Sequence, residues 1–169
     1  IQALENVKIA DPSDNENLTL LLRAYVESGR IKDAIKAYEL ASKNEPQNKT
    51  IRYLLGVLHR TDGDYTSAIA QFKEAIQIDP EYGDAIFDIG ATYYNWGVDI
   101  IKVADEKGQE TEEFKEKFKQ SLPYMEKAVK MRKEDSQVWE TLGTIYARLG
   151  EKDKAMKAFE QADKIRKGN

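Results

Sequence analysis

The sequence predicts an all-α fold built from repeated antiparallel helix pairs, and three observations carry that prediction. The first is a fixed period. Pro12, Pro46 and Pro80 recur every 34 residues, as do Gly29, Gly63 and Gly97, Ala34 and Ala68, and Ala41 and Ala75. Self-similarity at a period of this kind marks supersecondary units that cannot bury their apolar faces alone and must stack. The second is apolar spacing: Leu18, Leu21, Leu22 and Tyr25 fall at i, i+3, i+4 and i+7, one face of a helix. The third is composition. A 41% hydrophobic and 33% charged chain suits a soluble, helix-rich fold and not a disordered one.

Taken in order, residues 1–14 read as the tail of a preceding unit's second helix. Pro12 keeps the register there, and Leu4 and Val7 fall where Tyr38 and Ala41 fall one period later. The chain is therefore expected to be cut from a longer array. Units follow at 15–48 and 49–82. The third, 83–135, is enlarged. Gly29 stands five residues before Ala34, whereas the small residue that restores the register after Gly97 is Ser121, 24 residues on, which also places Met125 and Ala128. Nineteen extra residues are thus inserted, at about 98–120. The insert carries Ile100, Val103 and Ala104 at helical spacing, and Phe114, Phe118 and Leu122 at i, i+4, i+8. Gly108 is a natural helix stop, and Thr111 before Glu112 and Glu113 is a helix start. The insert reads as a lengthened helical hairpin. Some eight added residues per arm would make it protrude by about 12 Å. Its apolar residues Ile100, Val103, Phe114 and Phe118 form a candidate contact surface. Pro123 has no N–H and should kink the returning helix near Lys119. The fourth unit is 136–169. Lys164, Arg166 and Lys167 suit its helix C-terminus, and Met156 and Ile165 are expected to be exposed or covered by another chain.

The sequence offers little for catalysis. Without cysteine there is no disulfide, thiolate metal site or thiol nucleophile. His59 is the sole histidine, stands where other units have Tyr25, Tyr93 and Tyr146, and so reads as a packing residue. No second histidine completes a metal set, no nucleophile elbow is present, and no glycine loop is built to cradle phosphate. Asp105, Glu106, Glu110, Glu112 and Glu113 do not match a calcium loop and are interleaved with Lys102, Lys107, Lys115 and Lys117, so they read as a solvated tip. No catalytic residue, metal or cofactor is expected. Lys+Arg of 26 against Asp+Glu of 30 gives a net charge of −4 with no long basic run, which leaves no electrostatic case for nucleic acid. No apolar stretch approaches the roughly 20 residues that span a bilayer.

The last unit shows the motif most plainly. Trp139, Leu142, Gly143 and Tyr146 read W-x2-L-G-x2-Y, and Ala155 and Phe159 read A-x3-F, with Ala162 following. On these residues the chain resembles the tetratricopeptide family. Leu18, Leu21, Tyr25, Ala34, Tyr38, Ala41 and Pro46 match in the first unit. Leu55, Gly56, Ala68, Phe72, Ala75 and Pro80 match in the second, and Ile86, Ile89, Gly90, Tyr93 and Ala128 in the third. The resemblance implies a right-handed superhelical solenoid of antiparallel helix pairs, one hairpin enlarged. Gly56, Gly90 and Gly143 are expected to leave room where a first helix meets its second, with Ala34, Ala68 and Ala155 doing so from the other side. Tyr25, Tyr38, Phe72, Tyr93 and Phe159 are expected to fill the space between units.

In that family the first helices line a concave face on which ligands lie. Carrying the groove positions over selects Thr19 and Arg23; Tyr53, Val57 and Arg60; Asp84, Phe87, Ala91, Tyr94 and Asn95; and Gln137 and Arg148. Aromatics with arginines nearby are typical binding anchors, which singles out Tyr53, Phe87 and Tyr94. The positions of the basic clamp with which co-chaperone members hold a terminal carboxylate carry Thr19, Arg23, Leu54, Asp84 and Asp88 here. Two carboxylates would repel such a ligand, so a mixed apolar and polar peptide is the better fit. The resemblance implies a non-catalytic protein–protein interaction module, with self-association through open ends as a further use. The alternative is an accessory or assembly region of a larger protein whose active domain lies outside this segment. Similar enlarged hairpins occur in bacterial tetratricopeptide proteins, some of them exported, which favours an exported or periplasmic setting over a cytoplasmic one.

Overall fold

The computed structural model describes residues 15–168; the helix remnant expected at 1–14 lies outside them. Among the described residues there are eight α-helices and no strand: α1 (Asn15–Glu27), α2 (Ile31–Asn44), α3 (Lys49–Thr61), α4 (Tyr65–Ile78), α5 (Gly83–Glu106), α6 (Glu113–Met131), α7 (Ser136–Arg148) and α8 (Lys152–Lys167). They form two compact units that divide between Tyr82 and Gly83. In the first unit, α3 packs on α1, α2 and α4; in the second, α7 packs on α6 and α8, and α5 packs on α6.

Local chemistry sets where the helices begin. The Asn48 side chain accepts from the N–H groups of Thr50 and Ile51 at 3.1 and 3.2 Å, opening α3. Asp64 accepts from the Ser67 N–H at 3.0 Å, opening α4. Asp135 accepts from Gln137 and Val138 at 3.0 and 3.4 Å, opening α7. Each carboxylate or amide meets N–H groups that have no partner inside the helix. Between α3 and α4 the chain turns at Gly63, whose φ of +83° few side chains tolerate.

Each unit has its own apolar centre. In the first, Leu18, Leu21 and Tyr25 of α1 meet Ala34 and Tyr38 of α2 and Ile51, Leu55 and Leu58 of α3. The Tyr38 hydroxyl donates to the Leu18 carbonyl across the first pair, and burial pushes its phenol well above the ordinary tyrosine range. In the second, Phe118, Met125, Ala128 and Val129 of α6 meet Val138, Leu142, Ile145 and Tyr146 of α7 and Ala155 and Ala158 of α8. Burying a side chain of Leu, Phe or Met size contributes about 1.5–3 kcal/mol, so these clusters dominate the stability of their units.

In three of the four pairs a glycine of the first helix sets the closeness. A Cβ on Gly56 would lie 2.6 Å from the Phe72 ring, and one on Gly143 would lie 2.7 Å from the Phe159 ring. Phe72 and Phe159 therefore close the space inside their own pairs. Tyr93 does the same, stacked on Tyr124 with centroids 6.3 Å apart. Gly56–Phe72 and Gly143–Phe159 stand 16 residues apart in sequence, while Gly90 meets Met125 across 35. Most of the difference is taken up by the extra turns of α5 and α6, which run to 24 and 19 residues, and the rest by the longer loop between them. Ser121 is fully buried and donates to the Gly90 carbonyl at 2.7 Å.

Gly97 departs from its sequence register. Its partners in the 34-residue period, Gly29 and Gly63, adopt positive φ at turns, whereas Gly97 is helical and buried, with the Phe118 ring 2.5 Å from where its Cβ would be. The turn moves to Gly108, with φ +62°. Thr111 accepts from the Glu113 N–H at 3.2 Å as α6 begins, and α6 continues through Pro123. His59 is largely buried, with Nδ1 3.8 Å from an Asp64 carboxylate oxygen. At the other end Met156 is 57% exposed, while Ile165 is half-buried.

Candidate functional site

In the first unit, α1 and α3 carry the selected residues. Thr19 and Arg23 are exposed on α1. On α3, Tyr53, Val57 and Arg60 are half-buried. The Tyr53 ring sits between Phe72 at 5.6 Å and Tyr82 at 5.3 Å, both tilted to it. The Arg60 guanidinium lies 5.8 Å over the Phe72 ring. Lys49 closes this aromatic row, 4.9 Å over Tyr82 and paired to Asp79 at 2.5 Å. Hydrogen bonds from Lys49 and from the Glu81 backbone hold the Asp79 carboxyl below the usual range. The body of the half-buried Tyr53 ring is thus fixed by aromatic neighbours.

In the second unit, α5 and α7 carry the rest. Phe87, Ala91 and Tyr94 are half-buried and pack against the apolar cluster; Asp84, Asn95, Gln137 and Arg148 are exposed. Arg132, which closes α6, lies 4.6 Å over the Phe87 ring and also pairs with Asp84. Sequence reasoning missed Arg132, because it stands 45 residues from Phe87 and outside the first helices. Tyr94 stacks on Phe118 at 5.5 Å and 20°, so it belongs more to the packing of α5 on α6 than to a free surface.

Two expectations change with this geometry. Asp88 is only 6% exposed and Leu54 is buried, so neither faces a ligand, and Asp84 enters as half of an ion pair. The charge argument against a carboxylate-terminated ligand loses most of its force. In the extended hairpin, Val103 is exposed and Ile100 and Phe114 are half-buried, but Phe118 is fully buried. Phe118 was expected at a contact surface; it instead fills the space that Gly97 leaves, with Phe114 edge-on at 5.5 Å and Tyr94 stacked behind. It is not available to a partner.

Among the described residues, no helix is long and apolar enough to cross a membrane, and no cluster of three His, Asp or Glu is placed to hold a metal ion.

Comparison with known proteins agrees with the helix pairs. Models described as tetratricopeptide repeat match residues 19–83 and 136–169, flanking the enlarged pair. A curated relative, superkiller complex protein 3 of Mus musculus, is 27% identical over 135 residues, covering 79% of this chain. The chain spans only 8% of that relative's length. A crystal structure of MamA superposes over 99% of this chain and 86% of its own, with TM-score 0.75 and 22% identity. That of YrrB, described as a TPR protein with an unusual peptide-binding site, covers 99% of this chain and 76% of its own, with TM-score 0.70 and 19% identity. The fold is accordingly that of a solenoid of antiparallel helix pairs, and the chain belongs to the tetratricopeptide repeat family.

Proposed function

We propose that this chain is a non-catalytic interaction module that binds a peptide or protein partner on surfaces presented by its first helices. The observation that carries this reading is Tyr53. It is half-buried and wedged between two rings, with the Arg60 guanidinium over one of them and Thr19 and Arg23 exposed on the preceding first helix. A fixed aromatic cluster with an arginine over it is the composition of a binding hot spot. Phe87 beneath Arg132 is a further aromatic–arginine pair, in the second unit. The ligand that suits these surfaces is a mixed apolar and polar segment. Its apolar side chains would meet the rings and its polar groups the arginines.

The test is capture of partners from the source cell by the wild type, Tyr53→Ala and Phe87→Ala, with circular dichroism confirming that each variant folds. A partner retained by wild type and lost by either folded variant supports the reading. Retention by both variants moves the binding surface elsewhere.

A further inference from the structure

A second surface lies in the second unit, away from the first-helix residues selected above. Helices α6 and α8 leave a slot between them of about 570 Å³, floored by α7. Its floor is the half-buried Trp139, backed by the buried Val129, Leu142 and Ala158. The Trp139 indole is fixed in place, donating to the Lys133 carbonyl at 2.9 Å. Of the lining residues only Glu126 is acidic, and it accepts from the Tyr146 hydroxyl at 2.6 Å; Lys154 pairs with Glu151 at 2.6 Å. Lys130 on α6 and Lys157 on α8 stand on opposite walls, exposed and with no ion pair among the described residues.

We infer that this slot binds an acidic peptide segment carrying one apolar anchor residue, seated on Trp139 and flanked by carboxylates that bridge Lys130 and Lys157. The volume falls within the range of sites that enclose a few side chains, roughly 300–1,000 Å³. It is too small for a folded domain edge and too apolar in its floor for a simple anion. Charge selects the flanks of the ligand. Lys130 and Lys157, with Lys154, outnumber Glu126 in the lining, so the slot is cationic on a chain whose net charge is −4, and a generally basic partner would be drawn elsewhere on the surface. Two bridging carboxylates and one buried anchor correspond to weak, short-lived binding, on the order of 10–100 µM.

The probe is a fluorescein-labelled octapeptide with a central leucine or phenylalanine between acidic residues, titrated by fluorescence polarisation and by Trp139 emission. Saturable binding is expected, weakening as salt is raised. The double variant Lys130→Glu/Lys157→Glu should bind at least tenfold more weakly. Both positions are exposed, so the variant keeps its helices by circular dichroism. A peptide with the anchor replaced by serine should lose most binding to wild type. Absence of saturable binding up to about 1 mM overturns the proposal. So does equal affinity in the charge-reversed protein, or equal affinity for the serine peptide, which would leave only non-specific charge attraction.

Discussion

At the scale of single residues, the glycines of the first helices carry more than their small size suggests. Gly56 has a Phe72 ring atom where its own Cβ would be, at 2.6 Å, and the obstruction is a fully buried aromatic with no room to swing away. Replacing Gly56 with alanine gains about 1 kcal/mol of helix propensity. It also overpacks the pair at about 1–3 kcal/mol, so a net loss is expected in urea denaturation. The loss should shrink when Phe72→Leu is added, because the second change removes the clash that the first creates; strictly additive losses would refute the packing argument. Gly83 is the contrast. Its Cβ would meet only the flexible end of Met131 at 3.2 Å, so Gly83→Ala should stay within about 0.5 kcal/mol of wild type.

At the scale of elements, the start of α4 rests on Asp64. Hydrogen bonds from the Ser67 side chain and then its backbone, with a smaller attraction from His59, hold its carboxyl below the usual range. A depressed folded pKa means that the stabilising cap is fully present above the unfolded value of about 3.9 and is lost as pH falls through the folded value. Asp64→Ala should therefore cost about 1 kcal/mol at pH 7 and much less near pH 2. Asp64→Asn should match wild type at pH 7 and remove this residue's share of the acid loss. Equal pH dependence in wild type and Asp64→Asn would show that the cap does not titrate as described. The same scale shows what was legible in the sequence. The pairs α3–α4 and α7–α8 follow from periodic glycines and alanines because each such residue faces one fixed neighbour. Gly97 misled because the period alone cannot distinguish a turn glycine from one that admits a ring. Phe118, 21 residues on, decides the matter, and only the fold brings the two together. The longer helices give a direct test of the insertion. Deleting residues 98–116 and replacing Lys117 with aspartate restores the 34-residue spacing. The shortened protein should unfold cooperatively, with helix loss limited to the removed turns. A molten or aggregated product would show that the extension is part of the core and not an addition to it.

At the scale of the whole molecule, the candidate surfaces were only partly legible. Tyr53 and Phe87 are half-buried on first helices, but their neighbours Tyr82 and Arg132 come from segments 29 and 45 residues away, and Asp88 turns inward although its position suggests a ligand contact. Side-chain direction depends on packing partners, and no local pattern encodes that. Packing also ranks the helices by stability. In a stacked array each element is held by its neighbours, so elements with partners on more sides open last. In the first unit α3 has three helical partners and a side-chain cap at Asn48, whereas α1 has two partners. In the second unit α7 lies between α6 and α8 and is capped by Asp135. The last turn of α8 ends instead in exposed Arg166 and Lys167. Native-state hydrogen exchange should therefore show the slowest amides at Leu54–Leu58 in the first unit and at Leu142–Tyr146 in the second, with α1 and the end of α8 exchanging earlier. If exchange were uniform within each unit, opening would be all-or-none, and the neighbour-by-neighbour account of stability would fail for this protein.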